Sequence, residues 1–155
     1  MPPAKLVFSL QDLHHGWWQA DLSDSTQQAT ITASSVTGGP LLRLLEAVRL
    51  LLLGANESNC LWLEEPGQYR WLFSRTEKRL QIHIVWFNDA RNWADEKGET
   101  VLLMECDLLT FAKRLAHQLG QLEYQGDDPG VTQEDYQKLK EAITAFEHAK
   151  LDKQT

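Results

Sequence analysis

The chain has 155 residues, 43% of them apolar and 24% charged, which is the size and composition of a single globular domain spanning residues 1–155. Its formal net charge of −7 argues against recognition of a nucleic-acid backbone, because phosphate binding relies on clustered lysine and arginine. No apolar run reaches the roughly 18–20 residues that cross a bilayer, and the N-terminus lacks a secretory signal pattern, so we expect a cytoplasmic protein with no membrane contact.

The first third of the chain predicts three β-strands. Two extended runs, KLVFSLQ and WWQADLS, are joined by a turn at Gly16, and the alternation of apolar residues in the first run is typical of a half-buried hairpin. Residues 28–37, QATITASSVT, are rich in β-branched side chains and predict the third strand.

A helix is predicted next, between Pro40 and Gly54. Proline at the first helical position loses no hydrogen bond, and glycine is the usual residue after a helix end. Between them, apolar residues recur at helical spacing, at Leu41, Leu44, Leu45, Val48, Leu51 and Leu52. This apolar face is wide enough to cover a sheet.

The centre of the chain predicts three further strands, in residues 60–63, 69–75 and 80–87. Alternation sorts their side chains onto two faces. One face is apolar and carries Trp71 and Ile82, whereas the other is mixed and carries Arg70 and His83. We expect the apolar face to form the core and the mixed face to be partly solvated.

The last third predicts one strand and two helices after the polar loop 88–98. The strand covers residues 99–106; Asp107 then caps one helix, and Thr132 with Asp135 resembles the capping box of the last one. The order β-β-β-α-β-β-β-β-α-α predicts an α+β fold, with an antiparallel sheet of about six to seven strands and helices packed on one face.

We find no catalytic signature, metal-binding spacing or cofactor motif. Cys60 and Cys106 fall in apolar strands and are expected to be reduced core thiols. Among the histidines, His83 shares the mixed sheet face with Arg70, and with Glu64 it offers an alternative ligand site or a general base. A polar residue on a solvated face is the competing interpretation of His83.

Tryptophan and carboxylate residues suggest a different kind of site. Trp17 and Trp18 are adjacent, so on a strand one of them must leave the core face, and Trp93 lies in the most polar loop. Aromatic anchors beside carboxylates are typical of an interface for a basic partner. The candidate partner-binding residues are Trp17, Trp18, Asp89, Trp93, Asp95 and Glu96. The competing interpretation is that Trp93 folds back over the sheet edge and that the acids are solvated loop charges.

The stretch EPGQYRWLFSRTEKRLQIHIVWFND, followed by GETVLLMECDLLTFAKRLAHQL and a final helix, resembles a group of small uncharacterised bacterial α+β proteins. In that group a YRWLF strand pairs with an IxIxWF strand, and the similarity covers about residues 60–122. Proteins of this group are similar to immunity proteins of polymorphic-toxin systems. The resemblance implies a protein-binding role and assigns no active residue.

Three hypotheses follow for function. The first is a non-enzymatic, immunity-type protein that occludes a cognate, basic toxin domain through its acidic, tryptophan-containing surface. The second is a small-ligand-binding or enzymatic domain that uses the His83 and Arg70 face, for which an enclosed pocket would be expected. The third is a structural homodimer that pairs through an exposed strand edge.

Overall fold

The computed structural model describes residues 5–35, 39–125 and 128–152. Within them the strands and α-helices follow the predicted order, and one 3-10 helix that was not predicted is added in the loop 88–98. The strands are β1 Val7–His14, β2 Trp17–Ser23, β3 Gln28–Ser34, β4 Glu57–Leu63, β5 Gln68–Thr76, β6 Arg79–Phe87 and β7 Glu99–Asp107. The helices are α1 Pro40–Leu52, η1 Asp95–Lys97, α2 Leu108–Tyr124 and α3 Gln133–Asp152. The end of the predicted third strand, residues 36–37, lies outside the described residues.

The strands form two antiparallel sheets, so the predicted single sheet of six to seven strands is wrong. One sheet has the order β1-β2-β3 and the other the order β4-β5-β6-β7. The α+β class and the antiparallel pairing are confirmed. Helix α1 separates β3 from β4 in the chain and packs against β4, and no hydrogen-bonded ladder joins these two strands in the described residues.

Strand β3 contacts both outer strands of the four-stranded sheet, β4 and β7. Just before β3, the side chain of Gln27 binds the backbone of Leu103 on β7, and within β3 the Thr32 hydroxyl donates to Glu64 Oε2, next to β4, over 2.7 Å. Buried residues of both sheets belong to one hydrophobic core.

The core lies between the sheets and the three α-helices. Its largest members, Trp62 and Trp71, have ring centroids 5.1 Å apart, and Phe8 of β1 packs against Phe111 of α2 at 5.1 Å. Helix α3 packs on both α1 and α2. The apolar face predicted for the central strands is core along most of its length, although Tyr69 and Trp86 near the strand ends are only partly buried. The apolar positions predicted for α1 are all buried.

The predicted turn and caps are present. Gly16 has a φ of +83° at the β1–β2 hairpin. Asp107 accepts from the backbone N–H of Thr110 at the start of α2, over 3.0 Å. Thr132 and Asp135 cap α3 reciprocally, with each backbone N–H donating to the side chain of the other residue. These local signals fix where the helices begin.

Glutamine side chains cover an edge of each sheet. On β1, the N–H of Leu10 donates to Gln118 Oε1 of α2 over 3.0 Å. On β7, Gln27 Oε1 accepts from the N–H of Leu103 over 3.3 Å, and its Nε2 donates to the Leu103 carbonyl. An amide that accepts and donates at a single residue reproduces the two bonds of an antiparallel pair. Gln27 therefore occupies a position where another strand would pair with β7.

Among the described residues, none of the helices has the length and apolar character needed to cross a membrane.

Candidate functional site

The outer face of the four-stranded sheet has a covered end and an open end. At the covered end, Arg70, Val85 and Phe87 are buried, with Gly98 of the loop packed directly against the two apolar side chains. At the other end Gln81 is exposed. The expectation of a partly solvated face is therefore wrong for the end that lies beneath the loop 88–98, because the loop folds across it.

Gln68, at the start of β5, binds the loop through backbone carbonyl groups. Its Nε2 donates to the carbonyls of Asp89 and Arg91, over 3.1 and 2.8 Å, while its Oε1 accepts from Nε of Arg70 over 3.3 Å. The Gln68 amide is buried and fully engaged by these contacts. It therefore holds the first half of the loop against the sheet.

Arg70 holds the second half. Its Nη1 donates to the carbonyl of Trp93 over 2.5 Å and to Asp95 Oδ1 over 2.9 Å, and its Nη2 donates to the carbonyl of Arg91 over 3.3 Å. The guanidinium lies 4.1 Å from the centroid of the Phe87 ring. Because its side chain is only 8% exposed and its donors face the loop, the predicted solvated position of Arg70 is wrong.

Within the loop, Asp89 organises Trp93 and Arg91. Asp89 Oδ1 accepts from the Arg91 backbone N–H over 3.0 Å and from the Trp93 indole N–H over 2.9 Å, while Oδ2 pairs with Arg91 Nε at 3.3 Å. These hydrogen bonds, first that of the Arg91 backbone and then that of the Trp93 indole, lower the pKa of Asp89. The Arg91 guanidinium also lies 5.5 Å from the centroid of the Trp93 ring.

The position of Trp93 bears on the interpretation that it folds back over the sheet edge. The loop that carries it does fold back over the sheet, but the residue itself remains 41% exposed. Its indole N–H is already bonded to Asp89, so the ring has a fixed direction. Trp93 is therefore an exposed aromatic side chain whose indole ring is oriented by Asp89.

A groove of about 360 Å³ opens beside Trp93 at the end of the sheet. Its opposite wall includes Trp86, whose indole N–H donates to Asn88 Oδ1 over 2.9 Å and whose ring packs against Tyr69 at 4.7 Å between centroids. Gly67 lies so close to the Trp86 ring that a Cβ atom there would be 2.1 Å from Cη2. The groove is lined by Trp86, Phe87, Asn88, Asp89, Trp93, Lys97 and Glu99.

The structure brings together only some of the predicted partner-binding residues. Asp95 and Glu96 lie on η1 in the same loop as Asp89 and Trp93. Trp17 and Trp18 lie on β2, in the other sheet. Trp18 is 5% exposed and belongs to the core, so it cannot serve as an interface anchor, whereas Trp17 is half-buried on the opposite side of the strand.

The alternative ligand site is not assembled as predicted. Arg70 and His83 share the outer face, but the Arg70 side chain is turned to the loop. Glu64 lies away from them and accepts from Thr32 of the other sheet. His83 Nε2 is 2.9 Å from the hydroxyl oxygen of Thr100 and borders an open depression of about 220 Å³. The three residues therefore do not converge on one cavity.

The described residues contain no group of three or more His, Cys, Asp or Glu side chains placed to hold a metal ion. Both cysteines are buried, and burial raises the pKa of each thiol, that of Cys106 to about 12. Cys60 and Cys106 are therefore poor nucleophiles in the folded chain.

Sequence reasoning missed Gln68, Trp86 and Glu99 as members of the site. Alternation assigned Trp86 to the core face, and it is indeed on that side of β6, but it stands near the strand end where the core no longer covers it. The sequence does place Trp86 next to the end of its strand, since only Phe87 separates it from the polar loop 88–98. A large aromatic residue in that position can extend beyond the core. Gln68 gave no signal, since one glutamine at a strand start is ordinary.

No protein-family model, curated protein or solved structure matches the chain. Function is therefore inferred from the site itself and from the residue pattern described above.

Proposed function

We propose that the chain is a non-enzymatic, immunity-type protein that binds and occludes a basic toxin domain through the loop 88–98 and the adjoining groove. The observation that carries this proposal is the Trp93 side chain, which is 41% exposed and held by a hydrogen bond to Asp89. Tryptophan is enriched among the few residues that supply most of the binding energy in protein interfaces.

The backbone contacts of the loop support the same conclusion. Gln68 and Arg70 bind the carbonyls of residues 89, 91 and 93, so alternate peptide groups of the loop are fixed to the sheet. Ordering a loop on binding costs free energy, and a loop that is already ordered avoids that cost. Such a loop suits a surface that meets its partner without rearrangement.

The negative charge near the loop comes partly from its own carboxylates and partly from the net charge of the whole chain. Residues 88–99 contain four carboxylates and two cationic side chains. Asp95 is paired with Arg70 and Asp89 with Arg91, so Glu96 and Glu99 remain as the acids not used in those pairs. Steering of a basic partner then depends on the formal net charge of −7 as well as on the loop.

The contacts of the loop decide which substitutions can test the proposed surface. Truncating Asp95 to alanine would remove an acceptor of the buried Arg70, which holds the loop. Trp93 and Glu96 have exposed side chains whose removal leaves the backbone contacts in place. Glu105 on β7 is an exposed carboxylate outside the loop and serves as a control of equal charge.

The experiment is coexpression of the chain with basic toxin domains, including any encoded beside it, scored by cell growth. Titration of the purified chain with the domain that it protects against then follows. We expect the wild-type chain and E105Q to protect cells and to bind in a 1:1 complex. W93A should lose at least about 2 kcal/mol of binding free energy, as truncation of an interface hot spot does, and E96Q should slow association at low salt. Equal protection and affinity for W93A and the wild-type chain would refute the proposed surface.

A further inference from the structure

The groove between Trp86 and Trp93 brings aromatic rings and carboxylate groups together. Its walls include two indole rings whose N–H groups are already bonded, to Asn88 and Asp89. Trp93 is the more exposed of the two rings, since Trp86 packs against Tyr69 and Gly67. Its lining also contains two carboxylates, Asp89 and Glu99, against one ammonium group, that of Lys97. Aromatic faces beside carboxylates attract a cationic group.

The loop already shows this chemistry with one of its own side chains. The Arg91 guanidinium lies over the Trp93 ring at 5.5 Å from its centroid and pairs with Asp89 at 3.3 Å. Arg91 does not line the groove, so its side chain leaves the groove open. It does, however, pair with Oδ2 of Asp89, which lines the groove. The Arg91 side chain is 76% exposed, and ion pairs this exposed are weak and easily exchanged.

We propose that this groove receives one lysine or arginine side chain of the partner, with Asp89 and Glu99 as its counter-charges, and that Arg91 competes with that side chain for Asp89. The inference rests on the proposed function and specifies the chemistry that the partner presents. A volume of about 360 Å³ is at the small end of ligand pockets, which suits one long side chain rather than a larger ligand.

The competing role of Arg91 gives the proposal a distinctive consequence. The backbone N–H and carbonyl of Arg91 make the contacts with Asp89, Gln68 and Arg70, so the substitution R91Q removes the guanidinium and keeps the loop fixed. Removing this side chain should therefore strengthen the binding of a cation at the groove, whereas a purely structural role of Arg91 predicts weaker binding or no change.

Arg79 provides a matched control for the general effect of charge. It is also an exposed arginine paired with an exposed carboxylate, Glu105, at 3.5 Å, and it stands at the start of β6 while the groove lies at the other end of that strand. R79Q changes the net charge of the chain by the same amount as R91Q. Any difference between the two variants is therefore local to the groove.

The test is a titration of the full chain with a hexa-arginine peptide at low ionic strength. Binding is monitored by NMR through the indole N–H resonances of Trp86 and Trp93. We expect the peptide to shift both resonances in the wild-type chain and a hexa-glutamine peptide to shift neither. Relative to R79Q, R91Q should lower the Kd roughly two- to fivefold, the size expected from the loss of an exposed competing ion pair. W93A should raise the Kd at least about threefold through loss of the aromatic face.

Equal Kd values for R91Q and R79Q, or binding that shifts neither indole, would overturn the cation groove. These outcomes are separable from failure of the proposed function, which is measured with the whole partner. W93A could abolish protection against the toxin even if the peptide does not bind in the groove. That result would support the proposed interface and reject only the cationic side chain as its anchor.

Discussion

Replacing Arg70 with methionine tests whether this single guanidinium holds the loop 88–98 on the sheet. Arg70 donates over 2.5 Å to the carbonyl of Trp93 and over 2.9 Å to Asp95, with two longer bonds of 3.3 Å to Gln68 and Arg91. Methionine keeps an unbranched apolar stem for packing and removes every donor.

The expected loss follows from these contacts. A hydrogen bond that involves a charged group contributes about 1.5–3 kcal/mol to stability. We count only the two short bonds, at the low end of that range, because the Asp95 side chain is 56% exposed and its attraction to Arg70 is screened by water. The free energy of unfolding should therefore fall by about 3 kcal/mol, which corresponds to roughly 6–12 °C in Tm for a chain of this size.

Urea denaturation of the wild-type chain, R70M and D95N measures this loss, and the Trp93 indole resonance reports the loop. D95N retains a neutral acceptor for Arg70 and should cost less than about 1 kcal/mol. In R70M the Trp93 resonance should move towards that of a solvated indole. An R70M variant within about 0.5 kcal/mol of the wild-type chain, with its Trp93 resonance unmoved, would show that the loop is held by other contacts.

Two further predictions concern the groove wall and the sheet edge. In G67A the added methyl group would meet the Trp86 ring at 2.1 Å. We therefore expect the free energy of unfolding in urea to fall by about 1–3 kcal/mol and the Trp86 indole resonance to shift. Unchanged values would mean that this close approach is not required. Q27A should expose the backbone of Leu103 and cause self-association that increases with concentration in sedimentation velocity. The control Q28A, at a neighbouring exposed residue, should not self-associate. A monomeric Q27A chain would contradict the role of Gln27 in covering the edge of β7.

The fold illustrates which features local chemistry determines. Alternation along β5 and β6 assigned Trp71 and Ile82 to the core, and both are fully buried. Asp107 and the Thr132–Asp135 pair were identified as caps because a cap requires only residues within one turn of the helix start. Features that depend on one segment and its solvent exposure were therefore predictable from residue order.

Only part of the candidate site could be predicted from residue order. Trp93 and Asp89 stood out because a tryptophan in a polar loop is unusual, and the structure joins them by a hydrogen bond. Trp18 was misjudged because adjacent residues on a strand point to opposite sides, and alternation does not say which side is buried when both residues are tryptophan. Trp86 was missed because alternation gives a direction but not how far along a strand the core extends.

The sequence alone determined the chain order of the elements, the apolar faces and the helix starts, since each depends on residues close to one another in the chain. Tertiary structure decided the division into two sheets and the burial of Arg70. Contacts between distant positions accompany both features, such as Gln27 with Leu103 across 76 residues and Arg70 with Trp93 across 23. A charged side chain on a mixed strand face is solvated unless another segment supplies carbonyl groups to it, and only the folded path of the loop 88–98 brings those groups to Arg70.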